Sequence, residues 1–310
     1  MIGMPDEDVE ISGEVDIGLV KDVGAFSFKA LQKAKSMVKV GIRLIDVADA
    51  VEGLLKENGY TPAFPLNLSV NNEAAHYTPT LNDEKVFREG DLVKVDFGAA
   101  KDGILGDNAV TVDLGGNNSA LIQAAEEAVA AGVATVKAGV EVGRVGRAIE
   151  EAITKRGFRP IKNLGGHGVE VHDLHASVFI PNYDNKDDTT LEEGQVIAIE
   201  PFATDGKREL VVESDICEIF SFYGEVPVRH PIARKIQSEL SSNYKSEPFA
   251  ARWLSNVAAT RFELYSGLTE LFRAGALERY PILVLPEGSM VAQHEVEVLV
   301  EKDSCSVLTK

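Results

Sequence analysis

Apolar positions recur with a helical period over residues 16–39 and again over residues 119–137. Each stretch is followed by a short break that contains glycine and then by a second amphipathic helix. The second helices are predicted to end at Gly59 and Gly157, because glycine readily takes the left-handed conformation that closes a helix. The pattern therefore predicts two pairs of helices.

The two helix pairs resemble each other. Residues 38–62 align with residues 136–160 at an offset of 98, and the alignment matches the two breaks, the two terminal glycines and the prolines that follow them. Chance similarity between amphipathic helices is the alternative, but it does not explain the shared ends. We interpret the pairs as a duplication, and two copies at this spacing favour a pseudo-twofold α/β domain over a repeat array.

Strand patterns follow each helix pair. Residues 92–98 and 109–114 alternate between the two faces of a strand on either side of the turn sequence Lys101-Asp102-Gly103. In the second half, residues 195–202 and 209–220 are predicted to be strands. Both halves are therefore expected to combine helices with sheets.

The texture of the sequence changes after residue 220. Residues 221–285 are predicted to form an inserted helical subdomain, and strand patterns return at residues 291–300. The expected organisation is one catalytic domain, residues 1–220 and 286–310, interrupted by that subdomain.

Composition and charge exclude several classes of protein. The net charge of −18 argues against direct nucleic-acid binding, which needs a basic surface. We expect no membrane attachment, because no apolar run approaches the ~20 residues that span a bilayer and the acidic N-terminus lacks a signal-peptide pattern. Cys217 and Cys305 are too few for a disulfide framework, which favours the reducing cytoplasm.

The hairpin at residues 92–114 places two aspartates among apolar residues. If the turn lies between Lys101 and Asp102, Asp96 and Asp107 face each other directly; if it is centred on Asp102-Gly103, they are diagonal neighbours on one face. Like charges across a strand pair destabilise it unless a cation or proton compensates them. The spacing favours a metal site over two solvated aspartates.

Besides the aspartate hairpin, three further groups of residues have the chemistry of metal ligands. His167, His172 and His175 lie close together beside glycines, and His172 is the least probable functional residue because it breaks the strand alternation. Glu200 lies in an otherwise apolar strand, where an unpaired carboxylate is costly. A fourth cluster contains Glu295 and Glu297, between which spacing alone does not choose.

Two aspartates, one or two glutamates and a histidine form a hard, oxygen-rich ligand set. This set suits a pair of Mn²⁺, Fe²⁺, Co²⁺ or Zn²⁺ ions better than a structural zinc site, which favours cysteine. Paired divalent ions activate water and polarise carbonyl groups. The residues alone therefore favour a dinuclear metallohydrolase.

The order of these motifs resembles that of type 2 methionine aminopeptidases, in their short archaeal form, over nearly the whole chain. The resemblance rests on five segments: Phe64-Pro65-Leu66-Asn67 with Asn71–Pro79, the Asp96/Asp107 hairpin, Gly166-His167, Ala198-Ile199-Glu200, and Ala292-Gln293-His294-Glu295. It implies a pita-bread α/β fold with the inserted helical subdomain of type 2 enzymes. It also implies that two divalent metal ions are held by Asp96, Asp107, His167, Glu200 and Glu295, with Asp107 and Glu295 bridging.

The resemblance further implies the roles of the cleft residues. His76 would lie beside the scissile peptide and help stabilise the oxyanion, Glu200 would move a proton to the leaving amine, and His175 would contact the substrate. An apolar methionine pocket would be lined by Phe64, Phe202 and Tyr280.

The implied substrate is the N-terminal peptide of nascent proteins, from which methionine is removed when the next residue is small. We expect a cytoplasmic monomer, and a transient ribosome contact is left open. The chain departs from the family pattern at His294, Val296 and Glu297 around the last ligand, and at Thr80, which replaces a common asparagine. His294 is thus a candidate donor beside the metal site.

Two rival functions follow from the same fold. One is an inactive or weakly active pita-bread binding protein, which typically loses metal ligands. The other is a proline-specific peptidase, which would lack the insertion and would need a proline pocket. Retention of all five ligand positions favours the aminopeptidase.

Overall fold

The computed structural model describes residues 16–244 and 246–310 of the chain. Within these ranges, the α-helices are α1 Ile17–Met37, α2 Leu44–Glu57, α3 Ser119–Thr135, α4 Val142–Lys155, α5 Pro231–Asn243 and α6 Arg261–Arg273, with a 3-10 helix at Ala251–Leu254. The strands of the first half are β1 Thr61–Pro62, β2 Asn67–Val70, β3 Glu73–Ala75, β4 Leu92–Asp96, β5 Ala99–Lys101, β6 Ile104–Leu105 and β7 Ala109–Asp113. The remaining strands are β8 Arg159–Pro160, β9 Gly165–Glu170, β10 Asp173–Pro181, β11 Val196–Ile199, β12 Phe202–Thr204, β13 Val212–Phe222, β14 Phe249–Ala250, β15 Leu277–Val284, β16 Val291–Gln293, β17 Val296–Val300 and β18 Cys305–Val307.

Both predicted helix pairs are present, and the duplication is visible in their ends. Helices α2 and α4 each have 14 residues and are offset by 98 at both termini. Gly59 and Gly157 follow their caps with φ of 76° and 84°, the left-handed conformation predicted for them. The inward faces also correspond, since these pairs are fully buried: Leu44/Val142, Val47/Val145, Val51/Ile149 and Leu55/Ile153.

Each helix pair covers its own sheet and core. Helices α1 and α2 pack on the sheet β2-β4-β7, whereas α3 and α4 pack on the sheet β10-β9-β11-β17-β18. The halves meet where Glu295 donates its backbone N–H to the carbonyl of Ala109 at 3.0 Å. The predicted pseudo-twofold α/β arrangement is therefore present, and its two halves join beside residues 107–109.

The aspartate hairpin has the second of the two predicted registers. Asp96 pairs with Ala109, and Ala100 pairs with Leu105, so the turn is centred on Asp102-Gly103. The alternative with Asp96 directly opposite Asp107 is wrong. The left-handed φ values of Asp102 (52°) and Gly103 (83°) fit a two-residue hairpin turn and account for this register.

The segment 221–285 is helical only in its middle. Helices α5 and α6 enclose a small core of their own, but residues 277–284 form strand β15, which pairs along β13 and then with β3. The predicted strands 195–202 and 209–220 belong to different sheets. Strand β15 thus connects the inserted helices directly to the segment that carries His76.

Among the described residues, none of the helices has the length and apolarity needed to cross a membrane.

Candidate metal centre

One cavity of about 760 Å³ lies where the two halves and the inserted segment meet. All ten site residues predicted from the sequence line it: Phe64, His76, Asp96, Asp107, His167, His175, Glu200, Phe202, Tyr280 and Glu295. They come from strands or strand ends of four different sheets, so the tertiary structure brings together residues that are far apart in the chain.

The polar end of the cavity holds the candidate ligands. Ligand atoms of Asp107, His167 and Glu295 lie within 4.8 Å of one another, and all three residues are buried. Nε2 of His167 lies 3.5 Å from Oδ2 of Asp107 and 3.5 Å from Oε1 of Glu200. Asp96 and Glu200, the other two predicted ligands, line the same cavity.

Gln293 connects the carboxylates, a role that the sequence analysis missed. Its side-chain nitrogen lies 3.2, 3.4 and 3.5 Å from carboxylate oxygens of Asp96, Glu200 and Glu295. The backbone of Gln293 is itself fixed, because Thr111 donates to its carbonyl at 2.7 Å and accepts from its N–H at 2.9 Å. Its position two residues before Glu295 on one strand face was the available signal.

The structure distinguishes the two glutamates that spacing could not separate. Glu295 belongs to the ligand cluster, whereas Glu297 lies behind it and accepts a hydrogen bond of 2.9 Å from the backbone N–H of Asp107. Both are buried, with exposed fractions of 3% and 1%, so a solvated face is wrong for both.

The electrostatics of the cluster fit divalent cations. Burial raises the pKa of Asp96 to about 7, and burial together with neighbouring carboxylates raises the pKa values of Asp107, Glu200 and Glu295. Burial lowers the pKa of His167 to about 3, so its imidazole is neutral and able to coordinate. Oδ1 of Asp96 and Oδ1 of Asp107 are buried without a hydrogen-bond partner. Desolvated, mutually repelling oxygens beside a neutral imidazole are the donors that hard or borderline divalent ions prefer.

Gly166 explains how β9 brings His167 into the cluster. A Cβ atom at Gly166 would lie 2.0 Å from the carbonyl oxygen of Ala198 on β11. Glycine therefore permits the close approach of the two strands that carry His167 and lead to Glu200.

Aromatic residues also line the cavity. Phe64 and Phe202 are buried there, with exposed fractions of 6% and 1%. The ring of Tyr280 lies edge-on to His76 with 5.7 Å between centroids, and 5.9 Å from the ring of His175. Phe64, Phe202 and Tyr280 all line the same cavity, and their role in an apolar slot stays a prediction.

The hydroxyl group of Tyr280 is held by residues that the sequence analysis did not identify. It donates to Glu278 at 3.1 Å and accepts from Ser221 at 3.3 Å. Tyr223 donates to the same carboxylate of Glu278. All of these residues line the cavity, and none has a sequence pattern that distinguishes it from an ordinary strand residue.

His76 has a defined tautomer and an uncommon backbone conformation. Its Nδ1 lies 3.1 Å from the carbonyl oxygen of Pro281. A carbonyl only accepts, so Nδ1 carries the proton, and burial lowers the pKa of the ring to about 4. The neutral ring therefore presents Nε2 as a hydrogen-bond acceptor. Its φ of 69° lies in the left-handed region, which non-glycine residues seldom adopt.

His172 and His294 are the other two histidines near the site. His172 pairs through Nδ1 with Glu247 of the inserted segment at 2.5 Å. The ring of His294 interacts electrostatically with Glu126 of α3 and Lys35 of α1. Nδ1 of His294 is buried without a hydrogen-bond partner among the described residues, so its contribution as a donor beside the metal ligands stays a prediction.

Known proteins resemble the chain in sequence and structure. The model of metallopeptidase family M24 matches residues 18–232. A methionine aminopeptidase of Archaeoglobus fulgidus is 44% identical over 289 residues, which cover 93% of this chain and 97% of the relative. A methionine aminopeptidase of Pyrococcus horikoshii is 42% identical over 297 residues, covering 96% and 100%.

Two solved structures have a similar fold. The methionine aminopeptidase of Thermotoga maritima is 25% identical, with a TM-score of 0.68 and coverage of 94% of each chain. A thermophilic Arx1 has a TM-score of 0.82 at 16% identity, covering 95% of this chain and 91% of the other, and shows the fold alone. The family match and these structures confirm the predicted pita-bread fold.

Proposed function

The chain belongs to the methionine aminopeptidases of metallopeptidase family M24, and from this premise we propose how its cleft removes an N-terminal methionine. It is a metal-dependent aminopeptidase, a hydrolase that acts on the N-terminal peptide of proteins. The observation that carries this function is the buried cluster of Asp107, His167 and Glu295 in the wall of a cavity that aromatic residues also line.

Five residues would hold two divalent ions. Asp96, Asp107, His167, Glu200 and Glu295 are proposed to be the ligands that would hold these ions. When bound, divalent ions supply Lewis acidity and lower the pKa of water, and thereby provide the nucleophile. The side-chain nitrogen of Gln293 contacts three of these carboxylates and thereby helps to fix their positions. Cobalt, manganese, iron and zinc all suit this donor set.

The proton transfers are assigned to Glu200. Its carboxylate is buried at the cluster, 3.5 Å from Nε2 of His167, and faces the cavity. It is placed to accept a proton from the attacking water and deliver it to the leaving amine.

His76 is proposed to orient the scissile peptide. Because Nδ1 donates to Pro281, the neutral ring offers Nε2 as an acceptor for the N–H of the peptide bond. Stabilising an oxyanion would need Nε2 to donate, which this neutral tautomer does not do. We therefore replace the oxyanion role with a positioning contact to the scissile amide. His175, whose ring lies 4.6 Å from that of His167, is proposed to contact the substrate beside the ligands.

The apolar end of the cavity is proposed as the methionine pocket. Phe64, Phe202 and Tyr280 form a partly aromatic slot that suits an unbranched thioether. The proposal includes a preference for a small second residue, which the peptide comparison below tests.

Further features of the enzyme extend the proposal. We infer a cytoplasmic monomer that acts on nascent chains, with transient contact at the ribosome. We also retain residues 1–220 and 286–310 as the catalytic domain and residues 221–285 as the inserted subdomain. The net charge of −18 is compatible with a peptide substrate and opposes direct RNA binding.

The decisive assay compares three peptides with purified protein supplied with Mn²⁺ or Co²⁺. Methionine should be released from Met-Ala-Ser, whereas Met-Lys-Ser and a dipeptide ending in proline should remain intact. Cleavage of the proline dipeptide alone would favour the proline-specific rival. Absence of release with every divalent metal would favour the non-catalytic rival.

A further inference from the structure

We propose that Arg252, which the inserted segment contributes, is a positioning residue for His76. The inference rests on the proposed function of His76. The contacts that support it are all made by residues that the structure describes. Arg252 touches neither the ligand cluster nor the cavity, so it acts through the chain segment that follows His76.

The guanidinium of Arg252 is buried and binds that segment directly. Its side chain is 4% exposed and lies on the 3-10 helix. Nη1 donates to the hydroxyl of Thr78 at 2.7 Å and to the carbonyl of Pro79 at 3.1 Å. Two and three residues after His76, the backbone is thus fixed to the inserted segment.

The same guanidinium is anchored on the first half of the molecule. Nη2 donates to the carboxylate of Glu52 on α2, and the indole N–H of Trp253 donates to the other oxygen of that carboxylate at 2.9 Å. Arg252 therefore joins three parts of the chain: helix α2, the segment after His76 and the inserted subdomain. A planar, charged group with several fixed donors is suited to such a junction.

His76 needs external support on both sides. Its left-handed backbone conformation persists only where the surroundings fix it. On the preceding side, Ala75 pairs with Leu283 of β15, and the ring is bound to Pro281 of the same strand. On the following side, Arg252 holds Thr78 and Pro79.

Other bonds hold the same segment, but to its own neighbourhood. The backbone of Tyr77 accepts from Leu68 at 2.7 Å, and its hydroxyl donates to Asp83 at 2.9 Å. These contacts fix Tyr77 to β2 and to the local turn. Arg252 differs from these contacts because it binds the segment to the inserted subdomain. The same subdomain contributes Ser246 and Pro248 to the lining of the cavity.

A purely structural role for the buried ion pair is the competing explanation. Loss of one partner of a buried pair destabilises a protein wherever the pair lies. A positioning role predicts more: the effect on turnover should depend on the presence of the His76 ring. A double-mutant cycle measures this dependence.

The experiment compares Arg252→Met, His76→Ala and the double variant at a temperature where all are folded. Misplacement of a reacting group can cost ~100-fold, so we expect Arg252→Met to lower kcat by about 10- to 100-fold with KM within about threefold and metal content unchanged. In the His76→Ala background the same substitution should cost less than about twofold. Arg252→Lys should recover part of kcat, because it retains a buried donor. An equal loss in both backgrounds, or full activity of Arg252→Met, would overturn the proposal.

Two additions keep the test decisive. If Arg252→Met does not fold, Thr78→Val removes one acceptor and should lower kcat by about three- to tenfold, again only with His76 present. The imidazole ¹⁵N spectrum gives a readout without turnover: the His76 Nδ1–H signal should shift in Arg252→Met. It should stay unchanged in Arg147→Met, which breaks an exposed pair with Asp184. An unshifted signal contradicts the inference, whereas a wild-type protein that releases no methionine contradicts only the proposed function.

Discussion

The backbone N–H of Asp107 donates a hydrogen bond of 2.9 Å to the carboxylate of Glu297. Glu297 is almost fully buried, so this bond fixes the backbone that presents the Asp107 carboxylate to the cavity. The neighbouring Glu295 carboxylate instead joins Asp107 and His167. Two glutamates on one strand face thus have different relationships to the same aspartate: Glu295 shares the ligand cluster, and Glu297 supports it from behind.

This difference predicts opposite outcomes for two conservative variants. Glu295→Gln should abolish binding of at least one ion and reduce turnover to background, because a carboxylate of the proposed ligand set is lost. Glu297→Gln retains an acceptor for Asp107 and should keep metal stoichiometry, with affinity weakened no more than about 10- to 100-fold. Metal content after gel filtration, measured together with turnover, checks both. The reverse ranking would contradict our assignment of the ligand.

The proposed role of Asp107 as a metal ligand predicts that Asp107→Ala abolishes metal binding and methionine release together. The matched control is Asp102→Asn, which changes an exposed carboxylate in the turn of the same hairpin while keeping a residue that tolerates φ of 52°. The control should bind metal and turn over as the wild type does. Calorimetric titration with Mn²⁺ and a methionine-release assay measure the two effects. Turnover retained in Asp107→Ala would refute its proposed role as a ligand.

Removal of the metal should make stability depend on pH. In the metal-free protein, burial raises the pKa of Asp96 to about 7 and that of Glu297 to about 8. Unfolded carboxyl groups titrate near 4, so the folded chain binds more protons between about pH 4 and pH 8. Its free energy of unfolding therefore falls as the pH rises through this range.

Thermal unfolding in the presence of a chelator checks this expectation. The Tm should fall between about pH 5 and pH 8, and the stabilisation by added Mn²⁺ should be larger at the higher pH because the ionised carboxylates are then compensated. A Tm of the chelated protein that rises steadily over the same range would show that the site carboxylates do not control stability.

The aromatic slot predicts a graded response at Tyr280. Tyr280→Phe keeps the ring and removes only the hydroxyl that donates to Glu278 at 3.1 Å, so KM should change little. Tyr280→Ala removes the ring. Apolar contact worth ~1.5–3 kcal/mol corresponds to an increase in KM of about 10- to 100-fold. Steady-state kinetics with Met-Ala-Ser measure both, and equal KM values for the two variants would exclude the ring from the pocket.

Two glycine variants test the packing that presents His167. Gly166→Ala places a Cβ 2.0 Å from the carbonyl oxygen of Ala198 and should destabilise the protein by ~1–3 kcal/mol and weaken metal binding. Gly53 lies in helix α2, and a Cβ atom there would have no neighbouring atom within 4 Å. Gly53→Ala should therefore stabilise the protein by ~0.5–1 kcal/mol. Denaturant unfolding measures both changes. A tolerated Gly166→Ala would contradict the close approach of β9 and β11.

Much of the fold could be predicted from local signals. The ends of α2 and α4 were predictable because a glycine with left-handed φ closes each helix, and their buried faces follow from apolar positions at helical spacing. Residues 277–284, which the sequence pattern assigned to the inserted helical subdomain, form a strand instead. Strand β15 forms there because β13 and β3 offer pairing partners on both sides, and that information is not local.

The contacts made by Arg252 and Gln293 could not be predicted for the same reason. Arg252 and Thr78 are separated by 174 residues, and Gln293 and Asp96 by 197. No periodicity relates residues at such distances. Their side chains are ordinary in sequence and become significant only where the sheets of both halves and the inserted segment converge.

The sequence by itself determined the types of ligand, the strand faces that carry them and the duplication that brings two halves together. It did not determine which residues along those faces meet. Alternation with a period of two specifies a face, and moving a partner by two residues leaves that face unchanged, so Glu295 and Glu297 remained equivalent, as did the two registers of Asp96 and Asp107. Only the tertiary structure decided between them, because the pairing of Ala109 with Glu295 and the turn at Asp102-Gly103 fix the position of each residue along its strand.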